Sequence, residues 1–131
     1  YNCRLETQRR EKMIAANEKD IKVINLKSDK YQNVKAKVLI SPETGSEENV
    51  LRLFEVGEGG YSADHKHDFP HYVYVLEGEG TLHLDGKDHE ICEGSFSFIP
   101  PNIQHQLVNT TKEGKRLRFL CMVPVEGHIG F

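Results

Sequence analysis

Tryptophan is absent from this chain, and cysteine is scarce: only Cys3, Cys92 and Cys121 occur. An odd, sparse set with no C-x-x-C pair excludes a disulfide framework and points to a reducing, cytoplasmic compartment. Cys92 and Cys121 are expected as buried free thiols. No apolar run approaches the ~20 residues that a transmembrane helix needs. The opening stretch YNCRLETQRREK is charged throughout and does not read as a secretory signal. A surplus of positive charge is missing too. Against 20 Asp and Glu stand 17 Lys and Arg, a net charge of -3, so neither nucleic acid nor a membrane is expected as a partner.

What remains is the pattern of a single small β domain. The chain has 131 residues, 37% of them hydrophobic, which limits it to one compact core. Residues 1–20 are polar and irregular and read as a tail. From residue 21 to 131 short apolar runs alternate with turn signals. IKVINL (21–26), VKAKVLI (34–40), VLRLFEV (50–56), YSADHKH (61–67) and HYVYVLEG (71–78) read as strands. SPETGSEEN (41–49) reads as a loop and GEGG (57–60) as a turn. TLHLDGKDHEIC (81–92) is a hairpin around Asp85-Gly86. SFSFIP (95–100), IQHQLVN (103–109) and RLRFLCMVPV (116–125) complete the set. Nine or ten short strands with almost no helix predict an all-β sandwich or barrel.

Four of the seven histidines are spaced for one metal ion. His65 and His67, at i and i+2 of an expected strand, point the same way. Asp68-Phe69-Pro70 then bends the chain, and His71 opens the next strand close enough to supply a third ligand. His105 lies 34 positions beyond His71 and must be brought alongside by the fold. Neutral imidazole is the commonest protein metal ligand, and four such ligands on an octahedral ion leave two positions open. His83, His89 and His128 read as surface residues.

These spacings resemble those of the cupins. The first cupin motif, G-x5-H-x-H-x3-E-x6-G, is matched by Gly59, His65, His67, His71 at the glutamate position, and Gly78. The second, G-x5-P-x-G-x2-H-x3-N, is matched by Gly94, Pro100, Asn102 at the glycine position, His105 and Asn109. The resemblance implies a double-stranded β-helix, or jelly-roll, barrel with one divalent transition metal ion inside it (Fe, Mn, Ni, Cu or Zn). It also implies a homodimer. His71 departs from the usual glutamate ligand. Four neutral histidines leave the ion its full +2 charge, where three histidines and a glutamate leave about +1. Such a site favours a small anionic, chelating ligand. Asn102 tolerates the left-handed conformation better than most residues.

The remaining candidates surround that centre. Tyr61, on the expected face of His65 and His67, is the candidate to exchange a proton near the metal; plain barrel packing is its other reading. Arg52 is a candidate anchor for a substrate carboxylate, or else a solvated outer-face residue. Phe96 and Phe98 would shape an apolar substrate pocket, or simply fill the core. Gln104, Gln106 or Asn109 is expected to orient a ligand histidine through its second ring nitrogen. The family resemblance implies a metal-dependent enzyme of dioxygenase (an oxidoreductase), decarboxylase or isomerase type. The alternative is a non-catalytic barrel that binds a small ligand and reports to a partner protein.

Overall fold

The computed structural model describes residues 12–128; the first eleven residues of the expected tail, Cys3 among them, and the last three of the chain lie outside it. Among the described residues the strands are β1 (Ile24–Leu26), β2 (Gln32–Ile40), β3 (Asn49–Tyr61), β4 (His71–Glu77), β5 (Glu79–Leu84), β6 (Lys87–Cys92), β7 (Phe96–Ile99), β8 (His105–Asn109) and β9 (Leu117–Pro124). Three short 3-10 turns, Glu18–Asp20, Pro42–Thr44 and Val125–His128, complete them, the second of these inside the expected 41–49 loop. All pairings are antiparallel, in the order β6-β5-β8-β3-β9-β4-β7, with β2 also on β3 and β1 on β2. The result is an all-β jelly-roll barrel.

Period-two alternation decides what the barrel holds. On β9 Leu117, Phe119, Cys121 and Val123 point inward, and on β3 Val50, Arg52, Phe54 and Val56 do so. Ile99, Leu82 and Leu107 join them from the other strands. The same phase carries polar residues inside. His71 precedes inward Val73 and Val75 on β4, and His105 precedes inward Leu107 on β8, so both histidines face the interior by register alone.

The path through residues 57–67 differs from expectation. β3 runs unbroken through Gly57–Gly60, and residues 62–70 are irregular apart from a single bridge at His65. Gly57 and Gly60 serve close approach rather than reversal, while Gly59 takes a left-handed conformation at φ 71°. A Cβ on Gly60 would stand 2.5 Å from the Gln32 carbonyl, and one on Gly57 only 2.2 Å from Asn33 Nδ2. Here β3 bends away from β9, with which it pairs from Asn49 to Val56, to reach β8 through Tyr61 and Val108. Asn109 clamps this corner: its Nδ2 donates to the carbonyls of Val56 (2.9 Å), Gly57 (3.0 Å) and Lys115 (3.0 Å), and its Oδ1 accepts from Thr111 N (2.8 Å).

The described part of the N-terminal segment is attached to the barrel. Glu18 accepts from Lys37 Nζ at 2.6 Å and from Arg118 Nη2 at 2.5 Å. Ion pairs with both bases hold its carboxyl below the usual range.

Candidate metal centre

All four motif histidines meet in the barrel. One nitrogen from each of His65, His67, His71 and His105 lies within 4.8 Å of the others. Bonds of about 2.1 Å to nitrogen place cis ligands about 3 Å apart and trans ligands about 4 Å apart. The cluster therefore has the dimensions of one ion's shell, slightly expanded. His67 Nε2 and His71 Nε2, 2.7 Å apart, suit a cis pair.

Backbone contacts place the two histidines that no strand carries. His65 forms a bridge with His105 through N–H to carbonyl bonds of 3.1 and 2.9 Å. Asn102 N donates to the His67 carbonyl at 2.6 Å, with Asn102 in the left-handed region at φ 64°. Phe69 then stacks on the His67 ring, centroids 3.7 Å apart and planes within 3°.

The second ring nitrogens are held as well, though not by the side chains expected. His67 Nδ1 donates to the Phe69 carbonyl at 3.0 Å and His105 Nδ1 to the Ile103 carbonyl at 2.8 Å. His71 Nδ1 faces Cys121 Sγ at 3.0 Å. Gln104 instead donates to Asp64, Gln106 to the Ser62 carbonyl, and Asn109 to the corner already described. The carbonyls of Phe69 and Ile103, each two residues along the chain from its ring, take the places expected of these side chains.

Burial keeps the cluster neutral. It pushes His65 down to about 4 and His71 down to about 2, with the charges of neighbouring histidines adding to the effect. His67 and His105 are lowered by burial too, although their carbonyl partners act in the opposite direction. At neutral pH the four rings thus offer lone pairs, which is the state a metal requires. The donor set, imidazole throughout, fits a divalent transition ion.

Around the histidines opens a cavity of about 220 Å³. Arg52, Tyr31, Cys121, Phe69, Ile99 and Phe119 are among its walls, and no Asp or Glu is among the described residues that line it. Arg52 is buried, donates from Nη2 to Cys121 Sγ at 3.4 Å, and lies 5.1 Å from the Phe54 ring centre. It is thus an inward residue and not a solvated outer one.

Other expectations are corrected. Tyr61 is exposed at the end of β3 and is not among the cavity walls, because β3 ends there and the 61–67 stretch is no strand. Phe96 and Phe98 point outward, 80% and 52% exposed. On β7 it is Ser97 that shares the inward register, opposite Val73, while the two phenylalanines pair with outward Tyr74 and Tyr72. Cys92 is exposed, and Cys121 is buried but lies against the centre. His128 is half-buried, its pKa lowered by burial and then by Arg52. His83 pairs with Asp88 on the β5–β6 hairpin, and His89 is exposed there, as expected of surface residues. Tyr31 escaped the sequence reading because it sits in a polar loop, KSDKYQN, that carries no period.

Residues 52–123 match the family described as the cupin domain. The chain is 33% identical over 90 residues to dimethylsulfoniopropionate lyase DddW of Ruegeria pomeroyi, an alignment covering 68% of this chain and 59% of that protein. It is 36% identical over 76 residues to 1-methylthio-D-xylulose 5-phosphate methylsulfurylase of Rhodospirillum rubrum, covering 58% of this chain and 47% of that protein. It therefore spans only about half the length of these curated relatives, at 59% and 47%. The solved structure of the polyketide cyclase RemF from Streptomyces resistomycificus superposes with a TM-score of 0.79 at 30% identity, over 86% of this chain and 80% of that one. No helix among the described residues is long and apolar enough to cross a membrane.

Proposed function

Because this chain belongs to the cupin family, we propose that it is a metal-dependent enzyme acting on a small anionic, chelating substrate. The observation that carries the reading is a cluster of four neutral histidines in a cavity whose described walls include a guanidinium and no carboxylate. A bound divalent ion would supply Lewis-acid or redox chemistry at this site. The chain's own residues do the rest. His65, His67, His71 and His105 hold the ion without cancelling its charge. Arg52 receives an anionic group of the substrate. Tyr31, in the role expected of Tyr61, is the phenol placed to hold or hand on a proton. Phe69, Ile99 and Phe119 exclude water.

Size narrows the substrate. Drug-sized ligands occupy pockets of about 300–1,000 Å³, so a cavity of about 220 Å³ suits an acid of a few carbons. Oxygenation, decarboxylation and isomerisation of such an acid all fit this arrangement. The relatives named as a lyase, a methylsulfurylase and a cyclase support keeping reactions other than oxygenation in this range. The lack of an acidic side chain among the described walls favours one other reading, a ligand-binding or sensing barrel without turnover.

The free thiols of Cys92 and Cys121 support placing the protein in a reducing compartment such as the cytoplasm. The apolar outer face of Tyr72, Tyr74, Phe96 and Phe98 supports a homodimer.

The deciding experiment loads the purified chain, without a histidine tag, with each candidate metal. It then follows O2 uptake, CO2 release and product formation over small keto, hydroxy and dicarboxylic acids. Turnover that disappears in His67→Ala and His105→Ala, and that weakens in Arg52→Met through a raised KM, is the expected result. Tight acid binding without turnover would establish the sensing reading instead. A chain that retains no metal would overturn the metal-dependent reading.

A further inference from the structure

We propose that Phe69 is a specificity-determining residue: its ring, backed by Gly127, narrows the mouth of the histidine cavity and sets the size of molecule that enters. The inference rests on the reading of this cavity as the substrate site, but its test needs neither metal nor turnover.

Burial marks where the mouth lies. Most of the described wall residues are buried, among them Val73, Ile99, Leu107 and Phe119. The half-buried ones touch cavity and solvent alike. Apart from the ligands His65 and His67, these are Tyr31, Ser62, Phe69 and Gly127. All four lie outside the strands: Tyr31 just before β2, Ser62 and Phe69 in the irregular 62–70 stretch, and Gly127 in the C-terminal turn Val125–His128. Phe69 has the largest apolar side chain among them, so it blocks the most space.

The ring is held on one face and along one edge. Its face stacks on the His67 imidazole, with 3.7 Å between centroids and 3° between planes. Its edge meets Gly127 so closely that a Cβ there would stand 2.4 Å from Cδ1, 2.5 Å from Cε1 and 2.9 Å from Cγ. Only a residue without a side chain fits at that distance. The two supports are not equally firm. His67 is tied to the barrel through its carbonyl, which accepts from Asn102 N at 2.6 Å, and its ring belongs to the histidine cluster. The turn is joined at its first residue, where Val125 N donates to the Glu48 carbonyl at 2.9 Å, and Gly127 lies beyond that bond. The contact of ring with turn is therefore the part of the rim that must separate for a larger molecule to pass. Gly127 sets how far the rim closes, and Phe69 is what closes it.

Cys121 reports on passage. It is a free thiol, 3% exposed, that lines the cavity, whereas Cys92 is exposed and serves as an internal standard. The full chain is treated with iodoacetamide or with the bulkier N-phenylmaleimide, and labelling of each cysteine is followed by peptide mass spectrometry. Dividing the rate at Cys121 by the rate at Cys92 removes the difference in reactivity between the reagents. In the unmodified chain this quotient should be lower for the maleimide by at least about tenfold, the lower end of what apolar walls achieve against one extra methylene. Phe69→Ala should bring the two quotients together, and Phe69→Leu should fall between. Gly127→Ala, which must part ring and turn, should act in the same direction. Labelling by global unfolding accelerates in dilute urea, while passage through the mouth does not, so the gain in the variants should be independent of urea. Equal quotients in the unmodified chain, a maleimide quotient unchanged in both Phe69 variants, or a gain that tracks urea would overturn the proposal. A chain that binds no metal but shows the expected labelling would count against the metal-dependent reading and leave the role of Phe69 standing.

Discussion

Replacing Asn109 by Ala should cost the barrel much of its stability and leave the metal centre intact. Asn109 closes the second motif four residues after His105, so position alone makes it a candidate partner for that ligand. The structure gives it other work. Its amide donates to three carbonyls, on Val56, Gly57 and Lys115, and accepts from Thr111 N, at 2.8 to 3.0 Å, with the residue 6% exposed. Each net hydrogen bond is worth about 1 kcal/mol, and a buried group left unsatisfied costs about 1–3 kcal/mol. Some of the freed carbonyls lie near enough to solvent to recover water, so a loss of about 3 kcal/mol is expected. That is a large part of the roughly 5–15 kcal/mol that holds a domain together, and it corresponds to a fall of about 10 °C in Tm. The assay is urea unfolding of the metal-free chain, run beside a chelator competition for zinc in the native state. Asn109→Asp should be worse near neutral pH, because a carboxylate would replace the amide donors. Zinc affinity that falls sharply in Asn109→Ala while stability barely changes would refute the reasoning and return Asn109 to the metal site.

Three further outcomes follow from the geometry. Gly127→Ala would bring a Cβ to 2.4 Å from Phe69 Cδ1, so Phe69 must shift off the His67 ring on which it stacks; zinc affinity should drop while the far-UV spectrum stays unchanged. Stability of the metal-free chain should be constant above the ordinary histidine range and decline as pH falls from about 6.5 toward about 4, because the unfolded chain protonates first while folded His65 resists until about 4; urea midpoints across this window check the sign. Phe96→Asp, on the outward aromatic face, tests the proposed homodimer: sedimentation should show a dimer for the unmodified chain and a monomer for the variant, with metal content unaltered.

The strands were legible wherever alternation was strong and one side was plainly apolar. HYVYV and LRFLCMV show both conditions, and β4 and β9 follow them residue by residue. The histidine cluster was legible because fixed spacing between motifs transmits geometry that composition does not. SFSF was not legible in the same way. Its alternation is just as regular, but periodicity cannot say which set faces inward, and the small serine is the one that fits opposite Val73. Gly57–Gly60 misled for a related reason, since a glycine that reverses a chain and one that lets two strands close up are spelled alike. Cys121 looked inert because its partner, His71, is 50 positions away and on another strand. Local pattern contains no term for such a meeting.

The bridge between His65 and His105 has a consequence in polymer terms. Two backbone hydrogen bonds, at 3.1 and 2.9 Å, already join these residues. An ion gripping both rings would turn that junction into a cross-link around a loop of about 40 residues. Closure of such a loop removes about 4 kcal/mol of conformational entropy from the unfolded chain. Small secreted domains gain a comparable staple from disulfides. Here, in a chain with few cysteines, coordination would do the stapling, and the knot that prepares the chemistry would also be the one that holds the barrel shut.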